Sequence, residues 1–249
     1  MVCTAEILGY LLRHFVFALL AFVLSNRIPS LFYAESFYRL FSGRFVYFAY
    51  SLLIPFVFGL LFPRLVGLRQ RRMLWILTAA TVYFGILPFA ETVWVRPRLA
   101  GLETWREDGG ICLQTTDYTC GAAAAVTALA LLGVEAEESV LAIASFTTPS
   151  RGTSDSLLSV AIESLFADQG IGCRLIWFSS IDQMRDICPV IATVKHRFMI
   201  DHYVTVLAVD DDGVTIADPL KGLERVSYDA FGRKWRRVGI AITRCSEDQ

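Results

Sequence analysis

Residues 114–121 read QTTDYTCG and run into AAAAVTALALLGV. A cysteine that opens such an alanine-rich helix has its sulfur beside the amide end of the helix, where partial positive charge favours the thiolate. Cys120 is therefore a candidate nucleophile for acyl transfer. Gly121 behind it removes bulk where a substrate approaches. Gln114, six residues upstream, offers a side-chain amide that can join the Cys120 backbone N–H as the two donors an oxyanion needs. Taken alone, Cys120 is equally well explained as a small packed residue at a helix start.

A thiol nucleophile needs a base, and the chain has three histidines. His14 lies in an apolar run, and His196 in a polar turn after a strand. His202 stands immediately before the alternating stretch YVTVLAV, so a rigid element positions it. The DDDG at 210–213 makes a turn of the Asp-Gly kind, and the strand after it ends at Asp218. In a regular hairpin Asp218 comes level with the start of the first strand, where it can orient the His202 ring. Alone, His202 reads as a strand-end histidine and Asp218 as part of an Asp-Pro turn; the three together read as a Cys-His-Asp site. His196 is the alternative base.

These residues need two kinds of element around them. Periodicity and punctuation predict helices over 120–132 (closed by Gly133), 137–145 and 154–167, then strands over 174–178, 189–194, 203–209 and 214–217, with a short helix over 181–187. Helices first and an antiparallel sheet second is an α+β arrangement.

The first hundred residues differ in kind. They hold ten Arg and three acids, about +7, against about −8 for the remainder. Apolar runs at 7–24, 45–62 and 73–90 approach the roughly 18–20 residues that cross a hydrocarbon core as a helix. Arg13 and His14 interrupt the first, which either begins near Phe15, lies partly in the interface, or is a cleaved signal. The expected organisation is a transmembrane region of about three spans (1–93), a linker (94–108) where Pro, Gly and charge replace apolar continuity, and a domain (109–249). Arg64, Arg69, Arg71 and Arg72 between the second and third runs place that loop in the cytoplasm and the acidic domain outside it.

Composition excludes other classes. The acidic domain lacks a basic aromatic stripe, so no nucleic acid is expected as a partner. No GxxxxGK[ST] occurs in the chain, and no Cys/His cluster suggests zinc; neither cofactor nor metal is expected. Cysteines 112, 173, 188 and 245 read as buried thiols or, in an exported domain, as two disulfides. The basic run Arg233, Lys234, Arg236 and Arg237 reads as a solvated strand or loop edge, or as a membrane-surface contact.

QTTDYTCG, the RGTS at 151–154, DHYVTVLAVDDDG and ADPLKGLERVSYDAF together resemble the bacteriocin-processing, double-glycine leader cysteine peptidases, a papain-like family. The resemblance spans about residues 107–243. It implies a papain-like α+β peptidase domain in which Cys120 is the nucleophile, His202 the general base, Asp218 the residue that orients it, and Gln114 an oxyanion donor. The best-known members are fused to ABC exporters and lie before the transporter part. Here apolar runs precede the domain, and Thr119 replaces an Asp common before the nucleophile, so the resemblance is to a membrane-anchored member without that part. The expected partners are a peptide or protein substrate, the lipid bilayer of the cell membrane and a separate transporter or membrane protein. The same triad also serves amide or acyl transfer, and a non-catalytic peptide-binding membrane module is the reading from another class.

Overall fold

A computed structural model of the chain describes residues 58–59, 67–107, 109–197 and 200–244, without the side chains of Val82 and of residues 84–89. The apolar run at 7–24 lies outside the described residues, as does that at 45–62 apart from Phe58 and Gly59. The chain forms two compact units, Met1–Ala90 and Glu91–Gln249. The run at 73–90 lies within helix α1, Leu68–Ala100. Among the described residues no helix is long and apolar enough to cross a membrane.

The segment expected as a linker is structured instead. Helix α1 continues through it to Ala100, and Val95 and Leu99 are 4% and 2% exposed in the core of the second unit. Their i, i+4 spacing puts both on one face, while Arg96, Pro97 and Arg98 occupy exposed positions. Strand β1, Trp105–Arg106, then pairs antiparallel with β2, Cys112–Leu113.

Helix α2, Cys120–Leu131, is the axis of the second unit, with Cys120 to Leu129 all buried. Its small side chains let neighbours approach from every side, which an amphipathic helix would not permit. Gly133, at φ 72°, closes it in the left-handed conformation, and Val134 N donates back to Leu129 O. Helices α3, Glu138–Ala144, and α4, Asp155–Phe166, follow near the expected bounds.

The sheet holds β3, Ile171–Trp177; β4, Val190–Arg197; β5, Ile200–Asp210; β6, Gly213–Asp218; β7, Gly222–Val226; and β8, Trp235–Arg244. The order is β3-β8-β4-β5-β6-β7 and every pairing is antiparallel. The short stretch after β3 is a 3-10 turn, Ile181–Met184, and helix α5, Tyr228–Lys234, precedes β8. Ile191, Tyr203, Ile240 and Ile242 pack in the core with α2, whereas Val204, Val206, Phe231 and Trp235 form a second cluster.

The basic run at 233–237 thus leads into an interior strand. Arg236 donates to Asp201 Oδ1 from Nε and Nη2 at 2.9 and 2.8 Å, Arg233 pairs with Asp229, and the carbonyl of Arg237, a residue at φ 61°, accepts from Phe178 N. Arg236 is held in an ion pair rather than solvated.

Candidate active site

Cys120 is the first residue of α2, and Thr119 before it is fully buried. The Thr119 hydroxyl does not cap the helix; it bonds back to Thr116. First-turn amides, Cys120 N–H among them, have no acceptor within a helix. Gly121 does something other than clear space for a substrate. A Cβ there would lie 2.8 Å from Thr153 Cβ, so glycine is what lets α2 close on the loop before α4.

His202 and Asp218 are 5% and 6% exposed, and His202 Nε2 lies 2.7 Å from Asp218 Oδ1. An irregular register brings them together. Asp210 pairs with Gly213 and Ala208 with Thr215, but the register shifts before Val206 meets Ile216 and Thr205 meets Ala217. Leu207 is the extra residue of a β-bulge. Continued without it, Asp218 would lie opposite Thr205, whose hydroxyl turns to Ala124 O of helix α2. With it, Asp218 comes level with Val204, on the face shared by His202 two residues away.

Asp218 Oδ1 also accepts from Leu220 N at 2.9 Å. Burial works against its charge, but the His202 and Leu220 hydrogen bonds and the charges of His202 and Lys221 outweigh it and hold the carboxyl below its ordinary 3.8. A carboxylate only accepts, so His202 Nε2 carries a hydrogen and donates. Burial also disfavours imidazolium, yet the bond to Asp218, then the hydrogen bond and charge of Cys120, lift His202 from 6.5 to about 9. Cys120 thus lies near enough to bear on the ring whose Nε2 is committed to Asp218.

Gln114 reaches the same corner. Its backbone N–H donates to Pro219 O at 2.9 Å, next to Asp218, and Nε2 donates to Thr116 O at 2.7 Å. Its Oε1 is buried without a partner. His196, the alternative base, lies on the exposed end of β4 with its ring centroid 5.5 Å from that of His202. Partial burial and the charges of His202 and Arg197 lower its pKa. The ring bonded to Asp218 is that of His202.

Two supports were not legible in the sequence. Tyr203 OH lies within hydrogen-bond reach of Thr153 O and of Asp155 Oδ1, tying β5 beside His202 to the start of α4; burial raises the Asp155 pKa. Glu138, 0% exposed, accepts from Thr115 N and Oγ1 beside Gln114. A one-residue step past an Ala-Glu pair carries no signal of burial. The described cysteines, 112, 120, 173 and 188, are all free, which excludes disulfides among them. Burial pushes Cys112 and Cys173 up to about 12 and Cys188 to about 11. Among the described residues no group of three or more His, Cys, Asp or Glu gathers as for a metal ion.

A buried imidazole with a carboxylate on one nitrogen and a thiol acting on the ring is equipped for acyl transfer. The family model for the peptidase C39 family matches residues 109–247. The chain belongs to the peptidase C39 family. This is a family of cysteine peptidases with a papain-like α+β fold, as the resemblance implied. An uncharacterized protein of Methanothermobacter marburgensis is 33% identical over 132 residues, which cover 53% of this chain and 87% of that one. Solved C39-type structures similar to this chain include a double glycine motif protease from an AMS/PCAT transporter in complex with the leader peptide. It is 15% identical over 57% of this chain and 93% of that one, with a TM-score of 0.47. The peptidase domain of Streptococcus ComA, a bi-functional ABC transporter involved in a quorum sensing pathway, is 20% identical over 53% of this chain and 96% of that one, with a TM-score of 0.45.

Proposed function

We propose that this C39 family member is a membrane-anchored cysteine peptidase that cuts a peptide bond through Cys120, His202, Asp218 and Gln114. The observation that carries the reading is the buried 2.7 Å contact between His202 Nε2 and Asp218 Oδ1, with Cys120 acting on the same ring. With His202 raised to about 9, the proton rests on the imidazole at neutral pH. The proton that the Cys120 sulfur gives up is thus held on His202, which returns it as the acid.

The Cys120 sulfur attacks the scissile carbonyl carbon, and the carbonyl electron pair moves to oxygen. The Cys120 N–H and Gln114 meet that oxyanion; an amide NH₂ has two protons, so the bond to Thr116 O leaves one to donate. The C–N bond then breaks as His202 gives its proton to the leaving amine, and a thioester remains. Neutral His202 next takes a proton from water, whose oxygen attacks the thioester, and the acid and the Cys120 thiolate are released. Asp218 holds the ring through both steps.

The apolar runs at 7–24, 45–62 and 73–90 support anchoring in the cell membrane, and the Arg-rich loop between the last two supports a domain outside the cytoplasm. The substrate is then a peptide or protein delivered at the membrane, by a separate transporter or another membrane partner. The test compares peptides released by native membranes carrying the wild-type chain or Cys120→Ala. A set of peptides sharing a new C-terminus should vanish in the variant; an identical set from both membranes would refute the reading.

A further inference from the structure

We propose that Glu138 is a positioning residue for the oxyanion side of the site, its buried carboxylate setting the loop that carries Gln114 toward Cys120. This rests on Gln114 acting as an oxyanion donor. Glu138 is the first residue of α3 and wholly inaccessible. Its own amide donates to Thr104 Oγ1 at 3.0 Å, which fixes the backbone end. At the other end Oε1 accepts from Thr115 N at 3.0 Å and Oε2 from Thr115 Oγ1 at 2.5 Å.

Stranding a buried carboxylate is far more costly than pairing it. Both of these donors come from one residue, so the carboxylate fixes Thr115 in position and direction. Thr115 lies between the two residues whose bonds define the oxyanion wall. Gln114 is tied through its N–H to Pro219 O, and Thr116 supplies the carbonyl that aims the Gln114 amide. Thr116 N in turn reaches Thr119 Oγ1, next to Cys120. The loop from Gln114 to Thr119 has neither helix nor strand of its own. Without Glu138 the segment keeps its ends but loses the bond that orients its middle, and the Gln114 amide drifts from the developing oxyanion.

The experiment separates steps that need an oxyanion hole from a step that does not. Alkylation of Cys120 by iodoacetamide forms a C–S bond as iodide leaves, with no tetrahedral oxyanion. Hydrolysis of a peptide passes through two. Full-length chains carrying Glu138→Ala, Glu138→Gln, Thr115→Val, Gln114→Ala or Cys120→Ala are assayed with iodoacetamide and with a fluorogenic peptide copied from a cleavage site lost in Cys120→Ala membranes. Removing one oxyanion donor costs about 10²–10³ in kcat, and misplacing one should cost about 10–10². Glu138→Ala is therefore expected to lower kcat about 10–10²-fold with KM and alkylation each changed less than about threefold. Glu138→Gln, which keeps one acceptor, should recover most of the loss. Thr115→Val should reproduce part of it, and Glu138→Ala should add little to Gln114→Ala.

Alkylation falling in step with hydrolysis in both Glu138→Ala and Thr115→Val would overturn the proposal, as would unchanged hydrolysis in both. If Glu138→Ala does not fold, Thr115→Val decides on the same criteria. Loss of activity in Gln114→Ala and Cys120→Ala with both clamp variants active would refute the Glu138 role alone. Full activity in Cys120→Ala would refute the peptidase reading beneath it.

Discussion

His202→Ala should lower kcat/KM on a cleaved peptide by at least about 10³-fold, toward the upper end of what a positioned acid-base group contributes. One residue does several things here. In the proposed mechanism it supplies the proton to the leaving amine and accepts one from water. Because these act as a unit, Cys120→Ala and His202→Ala together should be little worse than either alone. The change also has a structural cost. Asp218, 6% exposed, would keep the Leu220 N–H but lose the imidazole bond that helps hold it ionised, so its carboxyl should titrate higher in the variant. Steady-state kinetics and a denaturant titration measure the two effects; a loss of less than about tenfold in kcat/KM would contradict the role of His202.

Asp218→Asn should have the next largest effect, on the order of 10²–10⁴-fold, and should move the pH profile. In the wild type, hydrolysis needs imidazolium to protonate the amine, so kcat/KM should fall as pH rises through about 9. Asparagine removes the carboxylate that opposes burial, so the basic limb should shift to lower pH. The stability profile has a defined sign. His202 is raised, so its contribution is full below 6.5 and is lost as pH rises through about 9. Asp218 is lowered, so its contribution is full above 3.8 and is lost as pH falls through its folded value. Wild type should therefore exceed Asp218→Asn in stability most clearly between these limits. A basic limb that stays in place in Asp218→Asn would show that another group sets it.

The same residues show what a sequence can and cannot convey. CGAAAAV announces a tightly packed helix because alanine and glycine have little else to do in such a run, and Asp210 to Gly213 announces a turn that Asp210 Oδ1 closes through the amides of Asp212 and Gly213. The pairing of His202 with Asp218 was legible as a spacing, but the register that delivers it was not. A bulge at Leu207 depends on contacts across the sheet, and VLAV looks the same with or without one. The interior place of strand β8 is hidden in the sequence for a related reason. Its opening Trp-Arg-Arg reads as surface until Arg236 finds Asp201, 35 residues earlier in the chain. Pro97 and Gly101 signalled a linker, but Val95 and Leu99 were enough to fix the end of α1 in the core. Glu138 was invisible because burial of an acid is a property of what surrounds it.

The proposed mechanism requires Cys120 to react apart from the other thiols of this chain. The most direct measurement is mass spectrometry of the full chain after brief exposure to a thiol-directed peptide inhibitor at neutral pH. Exposure alone favours Cys173 and Cys188, which are partly accessible, over Cys120 at 8%. Burial disfavours the thiolate at those two, holding them at about 12 and about 11, and at Cys112, held at about 12. Modification should fall on Cys120, should be lost in His202→Ala, and should leave Cys112, Cys173 and Cys188 unlabelled. Equal labelling of the Cys120→Ala chain would contradict the mechanism.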